Sequence, residues 1–174
     1  MGLMRLLMPL FVILVIISST VGTLAASEAT RVAVFDFELI DSSLEGEIYG
    51  SKPEETERLG MISDLLREKL QASGRYEVVD TTPAEGAIAD AGYIHGCNGC
   101  DAKIAHGLGA DQAISGTVQK VSNLILNINL YVRDAASRRL IWASSVDVRG
   151  NTDTSWSRGV SYILRNRLLK GPAP

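Results

Sequence analysis

Residues 124–133 read LILNINLYVR, and this stretch decides the fold. Leu124, Leu126, Ile128, Leu130 and Val132 alternate with Asn127, Asn129, Tyr131 and Arg133. A period of two is that of a strand with one dry and one wet face. The flanking segments Ala113–Ser122 and Leu140–Arg149 also read as strands, the latter carrying Leu140, Trp142, Val146 and Val148. Short polar connections join all three, so they form an antiparallel meander. Downstream, Asn151–Thr154 supplies a turn and a helix cap. The last helix carries Trp156, Val160, Ile163, Leu164 and Leu168 on one stripe, which places Trp156 in the core.

Upstream, Val32–Phe37 (VAVFDF) is almost continuously apolar, as for a central strand covered on both faces. Glu38–Lys52 reads as an acidic loop ending in a capping box of Ser51 and Glu54, with Pro53 near the first helical position. The helix that follows places Leu59, Ile62, Leu65, Leu66 and Leu70 on one face and ends at Gly74. Tyr76–Asp80 is a second short strand, and a strand–helix–strand unit of this size makes a right-handed parallel crossover. Thr82, Pro83 and Glu85 start an Ala-rich helical turn that Gly92 interrupts, and a further helix spans Cys100–Leu108. The expected fold is one α/β domain over residues 31–170. Its sheet is mixed and five-stranded, a parallel β-α-β start followed by the three-strand meander, with packed helices.

The first 25 residues read as a signal peptide: Arg5, an apolar run from Leu6 to Ile17, then small residues through Ala26. Cleavage after Ala25 leaves a short linker, 26–30, and 171–174 (GPAP) is expected to be a disordered tail. The expected location is therefore the periplasm, with membrane contact only if the leader stays uncleaved. Cys97 and Cys100 are the only cysteines, so none lies near the cleavage point to carry a lipid anchor. The full chain has a net charge of −3 and no basic stripe, which argues against nucleic acid.

Cys97-Asn98-Gly99-Cys100 is the one local motif with a reactive reading. In an exported chain its simplest meaning is a disulfide, because the periplasm is kept oxidising. Cys100 near the start of a helix also permits a redox pair, since helix amides favour a thiolate. A third reading adds His95 and His106 to the two thiolates as a tetrahedral metal set. Asp101 follows the pair where covalent haem attachment would need histidine, so no haem is expected, nor any other cofactor. Asp36 and Glu38 read as a loop cap and a solvated carboxylate. The mature chain contains no G-x-S-x-G elbow, P-loop or H-E-x-x-H motif. Arg149, Asn151, Asp153 and Arg158 mark a distinctive surface segment suited to a partner, and Arg165, Arg167 and Lys170 extend its basic face.

Four segments together carry a resemblance: VAVFDF, SGRYEVVD, LGADQAISGTVQKVSNLILNINLYVRDAASRRLIWA and RGNTDTSWSRG. Over about Arg31 to Leu169 the chain resembles a family of short exported proteobacterial proteins known only as a domain of unknown function. It is more distantly similar to the amino-terminal domain of TolB and to periplasmic domains of curli-secretion and flagellar-accessory lipoproteins. The resemblance implies a non-catalytic module that contacts another cell-envelope protein. It does not extend to a lipidated cysteine or to barrel-forming hairpins, which disfavours a secretion pore. The alternative, from the Cys97/Cys100 pair, is a periplasmic redox or metal-handling accessory protein.

Overall fold

A computed structural model describes residues 29–171 and 174. The leader expected over residues 1–25 lies outside the described residues, as do most of the linker and positions 172–173. The elements run β1 (Thr30–Val34), β2 (Glu38–Asp41), α1 (Leu44–Tyr49), α2 (Pro53–Ala72), β3 (Tyr76–Val79), α3 (Glu85–Ala91), α4 (Cys100–Gly107), β4 (Gln112–Lys120), β5 (Leu126–Asp134), β6 (Leu140–Val148) and α5 (Asp153–Ile163). A short turn of helix at Ile94–Gly96 precedes α4, and a π-helical turn, Leu164–Leu168, continues α5.

All strands join one mixed sheet in the order β3-β1-β4-β5-β6. β1 is parallel to both β3 and β4, and β4, β5 and β6 form the antiparallel meander. The middle position belongs to β4, not to the 32–37 segment. Nor is 38–52 a plain loop. β2 is a sixth strand, parallel to the far end of β4, and α1 follows it. Val34 pairs with Ile114 and Glu38 with Thr117, so β1 and β2 lie end to end along β4 with one extra residue between them. That bulge hides the continuity, because it breaks the alternation of apolar residues.

One face of the sheet packs on α2 and α5. Ile62, Leu66 and Leu70 of α2 and Trp156, Val160 and Ile163 of α5 are buried there against Leu126, Ile128, Leu130 and Val132. Gly159 lets α5 approach closely, since a Cβ there would stand 2.8 Å from Val148 and 2.9 Å from Ile128. Among the described residues the other face is covered by α3, the turn at Ile94–Gly96 and α4, through a small, alanine-rich cluster around Phe35 and Ile94. The alternation of β5 is buried as expected from Leu126 onward, but Leu124 is 73% exposed and lies in the β4–β5 turn. Leu140, at the start of the edge strand β6, is also exposed. Gly74 adopts φ 68° after α2, the left-handed position that favours glycine. The start of α2 is one residue later than the Ser51/Glu54 reading: Lys52 is the cap, and its amide donates to the Glu55 carboxylate at 3.1 Å.

Candidate functional site

Two places in the fold bring polar side chains together. The first lies where α4 meets the sheet. Ser115, Thr117 and Gln119 of β4 share a face with Tyr131 and Arg133 of β5, because Ser115 pairs with Tyr131 across the ladder. The turn at 94–96 and the first turn of α4 close over this face and leave a cavity of about 190 Å³, lined also by Ile40, Ile94, His95, Gly99 and Asp101. Asp101 is 2% exposed. Its Oδ2 accepts from the Ser115 hydroxyl at 3.4 Å and faces Arg133 Nε at 3.4 Å. Its Oδ1 has no hydrogen-bond partner among the described residues.

Cys97 and Cys100 are bonded to each other beside this cavity, with Cα atoms 5.6 Å apart. The tetrahedral metal set does not assemble. Among the described residues no three His, Cys, Asp or Glu side chains converge on one point. The two sulfurs are used by each other, His95 Nδ1 lies 2.6 Å from Glu38, and His106 is exposed near the end of α4. Glu38 is not a solvated carboxylate either. It accepts the backbone amides of Ile94 at 2.6 Å and His95 at 2.8 Å, so it fixes the turn that roofs the cavity. Asp36 instead pairs with Arg67 of α2.

The second place is the opposite end of the strands. Lys120, at the end of β4, is fully buried, with Nζ 2.6 Å from Glu55, 3.0 Å from Asp41 and 3.4 Å from Glu45. Burial works against ionisation of Glu55 and Asp41. The hydrogen bonds each carboxylate accepts, from Lys120 and, for Asp41, from Ser43, outweigh it and hold both below the ordinary carboxylate range. Burial likewise opposes the Lys120 charge, but Glu55 and Asp41 raise its pKa above the usual lysine value. This cluster ties α1, β2, α2 and β4 together.

Around it stands an apolar surface. Leu44, Ile48 and Tyr49 of α1 and Val121, Leu124 and Ile125 of the β4–β5 turn are each 57–79% exposed. Asn123 holds the turn to α1 by donating to Glu45 at 3.0 Å. The 149–153 segment borders the same end. Asn151 donates to Glu55 at 2.7 Å and to Asn123 at 3.1 Å, and Asp153 accepts from Arg58 at 2.7 Å. Asn151 is therefore held in a joint with Glu55 and Asn123, whereas Asp153 stays exposed beside Arg58, Arg149 is exposed, and Arg158 is exposed on α5, where it lines an open groove with Lys69 and Arg165.

Sequence reasoning missed Lys120, Glu55 and Asp101. The signal for Lys120 was present: Ile114, Gly116, Val118 and Lys120 fall on one side of β4, so the strand period places a lysine on the core face. Glu55 and Asp101 sit on short or helical stretches where spacing alone does not separate a buried carboxylate from an exposed one.

The model for a family described as "Protein of unknown function (DUF2380)" matches residues 30–168. The chain belongs to this family, DUF3280. That match covers every strand and helix described above. No curated protein sequence matches the chain. Among solved structures, the chain is similar to the LpoB C-terminal domain from Salmonella enterica, with a TM-score of 0.53 and 15% identity over 72% of this chain and 86% of that one. It is similar to the same domain from Escherichia coli at a TM-score of 0.51 and 15% identity, covering 74% and 88%. The PelC dodecamer from Paraburkholderia phytofirmans gives a TM-score of 0.50 at 11% identity, covering 80% and 89%. At these identities the likeness is one of fold.

Proposed function

We propose that this DUF3280 chain is a non-catalytic accessory module of the cell envelope, which docks another envelope protein through the end that carries α1 and the β4–β5 turn. The observation that carries the reading is the group of six large apolar side chains exposed there. Monomeric soluble proteins rarely leave such groups together without a use, and an apolar centre with a polar rim is how interfaces are built. Arg149 and Asn151 stand at the rim. The buried Lys120 cluster beneath makes the surface rigid, which lowers the ordering cost of binding. The leader supports an extracytoplasmic setting, and the fold is shared with the C-terminal domain of LpoB.

Site-specific photo-crosslinkers at Leu124 and Tyr49, with Ser145 on the wet face of β6 as the control position, test this in intact cells. The expected result is one envelope-protein adduct at both Leu124 and Tyr49, absent at Ser145 and lost on Ile48→Asp. Adducts only to lipid, only to a second copy of the chain, or equally at Ser145 would overturn it.

A further inference from the structure

We infer that the groove between α2 and α5 binds an extended, acidic peptide segment of a partner protein, with its carboxylates on Arg158 and Arg165. The groove is separate from the apolar docking end, and the inference does not depend on that reading. α2 and α5 run side by side in the same direction. Arg58 donates to Asp153 at 2.7 Å, Ser157 Oγ lies 3.9 Å from Met61 Sδ, and just beyond both helices Arg75 donates to the Leu169 carbonyl at 2.8 Å. That register carries Leu65 to Ser161 and Lys69 to Arg165, and these four, with Ser157 and Arg158, line an open groove of about 510 Å³. Arg158 and Arg165 are exposed and Lys69 is half-buried, so the cations stand where a partner can reach them.

These charges have no internal use. Among the described residues Lys69, Arg158 and Arg165 form no ion pair, whereas their neighbours on α2 do: Arg58 holds Asp153, and Arg67 holds Asp36 and Asp64. Asp153, the one carboxylate among the described residues that lines the groove, is thus taken by Arg58. A cleft lined by one sign of charge concentrates the opposite sign. The chain as a whole carries −3, so the groove reverses its overall sign. Arginine forks match carboxylates bidentately. Arg165 Nε donates to the Ser161 carbonyl at 3.3 Å, which steadies the side chain and leaves its terminal nitrogens for a ligand. Between the arginines, the small side chains of Ser157 and Ser161 keep the floor open and offer hydroxyls to peptide N–H and C=O groups. Seven helical residues separate Arg158 from Arg165, a rise of about 10 Å. A polyproline-II segment advances about 9 Å over three residues and returns its side chains to one face, so acidic residues at every third position meet both arginines. A membrane surface fits less well, because cations that bind bilayers are accompanied by exposed apolar side chains. Among the described residues of α5 the one large apolar side chain exposed is Tyr162, and Arg167 covers its ring.

The test is titration of the isotope-labelled exported protein, followed by amide NMR. The probe is a capped peptide of repeated Glu-Pro-Ser, with the Gln-Pro-Ser peptide, inorganic phosphate and vesicles of phosphatidylglycerol as comparisons. The expected result is saturable shifts with the glutamate peptide in the millimolar range or below, confined to the amides around Leu65–Lys69 and Ser157–Arg165, and weakening as salt is raised from about 50 to about 300 mM. Arg158→Gln and Arg165→Gln should each weaken binding about threefold, and the double variant about tenfold or more. Arg139→Gln, an equal change of net charge in the exposed β5–β6 turn, should leave it unchanged. Silence with the glutamate peptide, equal binding of the glutamine peptide, a response only to phosphate or to vesicles, or the same loss on Arg139→Gln as on Arg158→Gln overturns the inference.

Discussion

Lys120 shows how one residue can organise an end of this molecule. A fully buried ammonium is tolerated only because Glu55 and Asp41 bond it directly, and removing one partner of such a pair leaves the rest buried and uncompensated. Lys120→Met should therefore cost about 3–5 kcal/mol of unfolding free energy, measured by urea denaturation. The pH dependence distinguishes a charge effect from a packing defect. In the wild type the carboxylates are held below their ordinary values of 3.8 and 4.5, so their contribution is present above that range and is lost as pH falls through the lower folded values. Lys120 is raised above 10.5, so its contribution is full below that value and is lost only as pH climbs beyond it. In Lys120→Met, Glu55 and Asp41 lose their cation, and burial then raises their pKa values. The variant should gain stability as pH is lowered from about 7 to about 5, where the wild type does not. A variant with an unchanged pH profile would show that the cluster is packed but not electrostatically coupled.

At the scale of the element, β5 is the best test of the sheet because its two faces differ so sharply. Leu130 is 1% exposed in the layer under α5, so Leu130→Asp buries an unpaired charge and should abolish soluble expression. Asn129→Asp lies on the opposite face and should cost no more than about 1 kcal/mol in a urea titration. Asn127→Asp should be the worse of the two asparagine changes, because Asn127 donates to Asp147 at 2.8 Å and the new carboxylate would face it. Equal tolerance of Leu130→Asp and Asn129→Asp would mean that the buried face is misassigned. Elements with an uninterrupted period were legible in the sequence: α5 and its π-helical continuation bury the whole expected stripe, β5 buries Leu126, Ile128, Leu130 and Val132 but not Leu124, and α2 buries Ile62, Leu66 and Leu70 with Leu59 and Leu65 half-buried. β2 was not, because its four residues are all half-buried and a bulge separates them from β1. The candidate site was legible only in part. His95 and the cysteine pair were visible as chemistry-bearing types, but Asp101 and Lys120 acquire their roles from partners distant in sequence, Arg133 for one and Asp41 and Glu55 for the other.

The whole molecule is unequal on its two sides, and this predicts how it opens. The α2/α5 side buries leucine, isoleucine, valine and tryptophan side chains, whereas the α3/α4 side relies largely on Ala33, Ala102, Ala105, Ala110, Ala113 and Ala135 around Phe35 and Ile94. A methyl group buries far less apolar area than a leucine side chain, so the α3/α4 layer should open below the global unfolding free energy. Native-state hydrogen exchange should accordingly give α3 and α4 amides a lower opening free energy than those of β4, β5 and α2. The bond between Cys97 and Cys100 stands within the weaker layer and closes a very small loop, so removing it should cost at most about 2 kcal/mol, or about 4–8 °C in melting temperature. A double Cys→Ser variant should therefore fold. If the loop is already unfolded in the partly open state, the opening free energies of α4 and of β5 should fall by the same amount. A fall confined to β5 would mean that the loop persists until global unfolding, and equal protection of both layers in the wild type would remove the basis for a separate opening step.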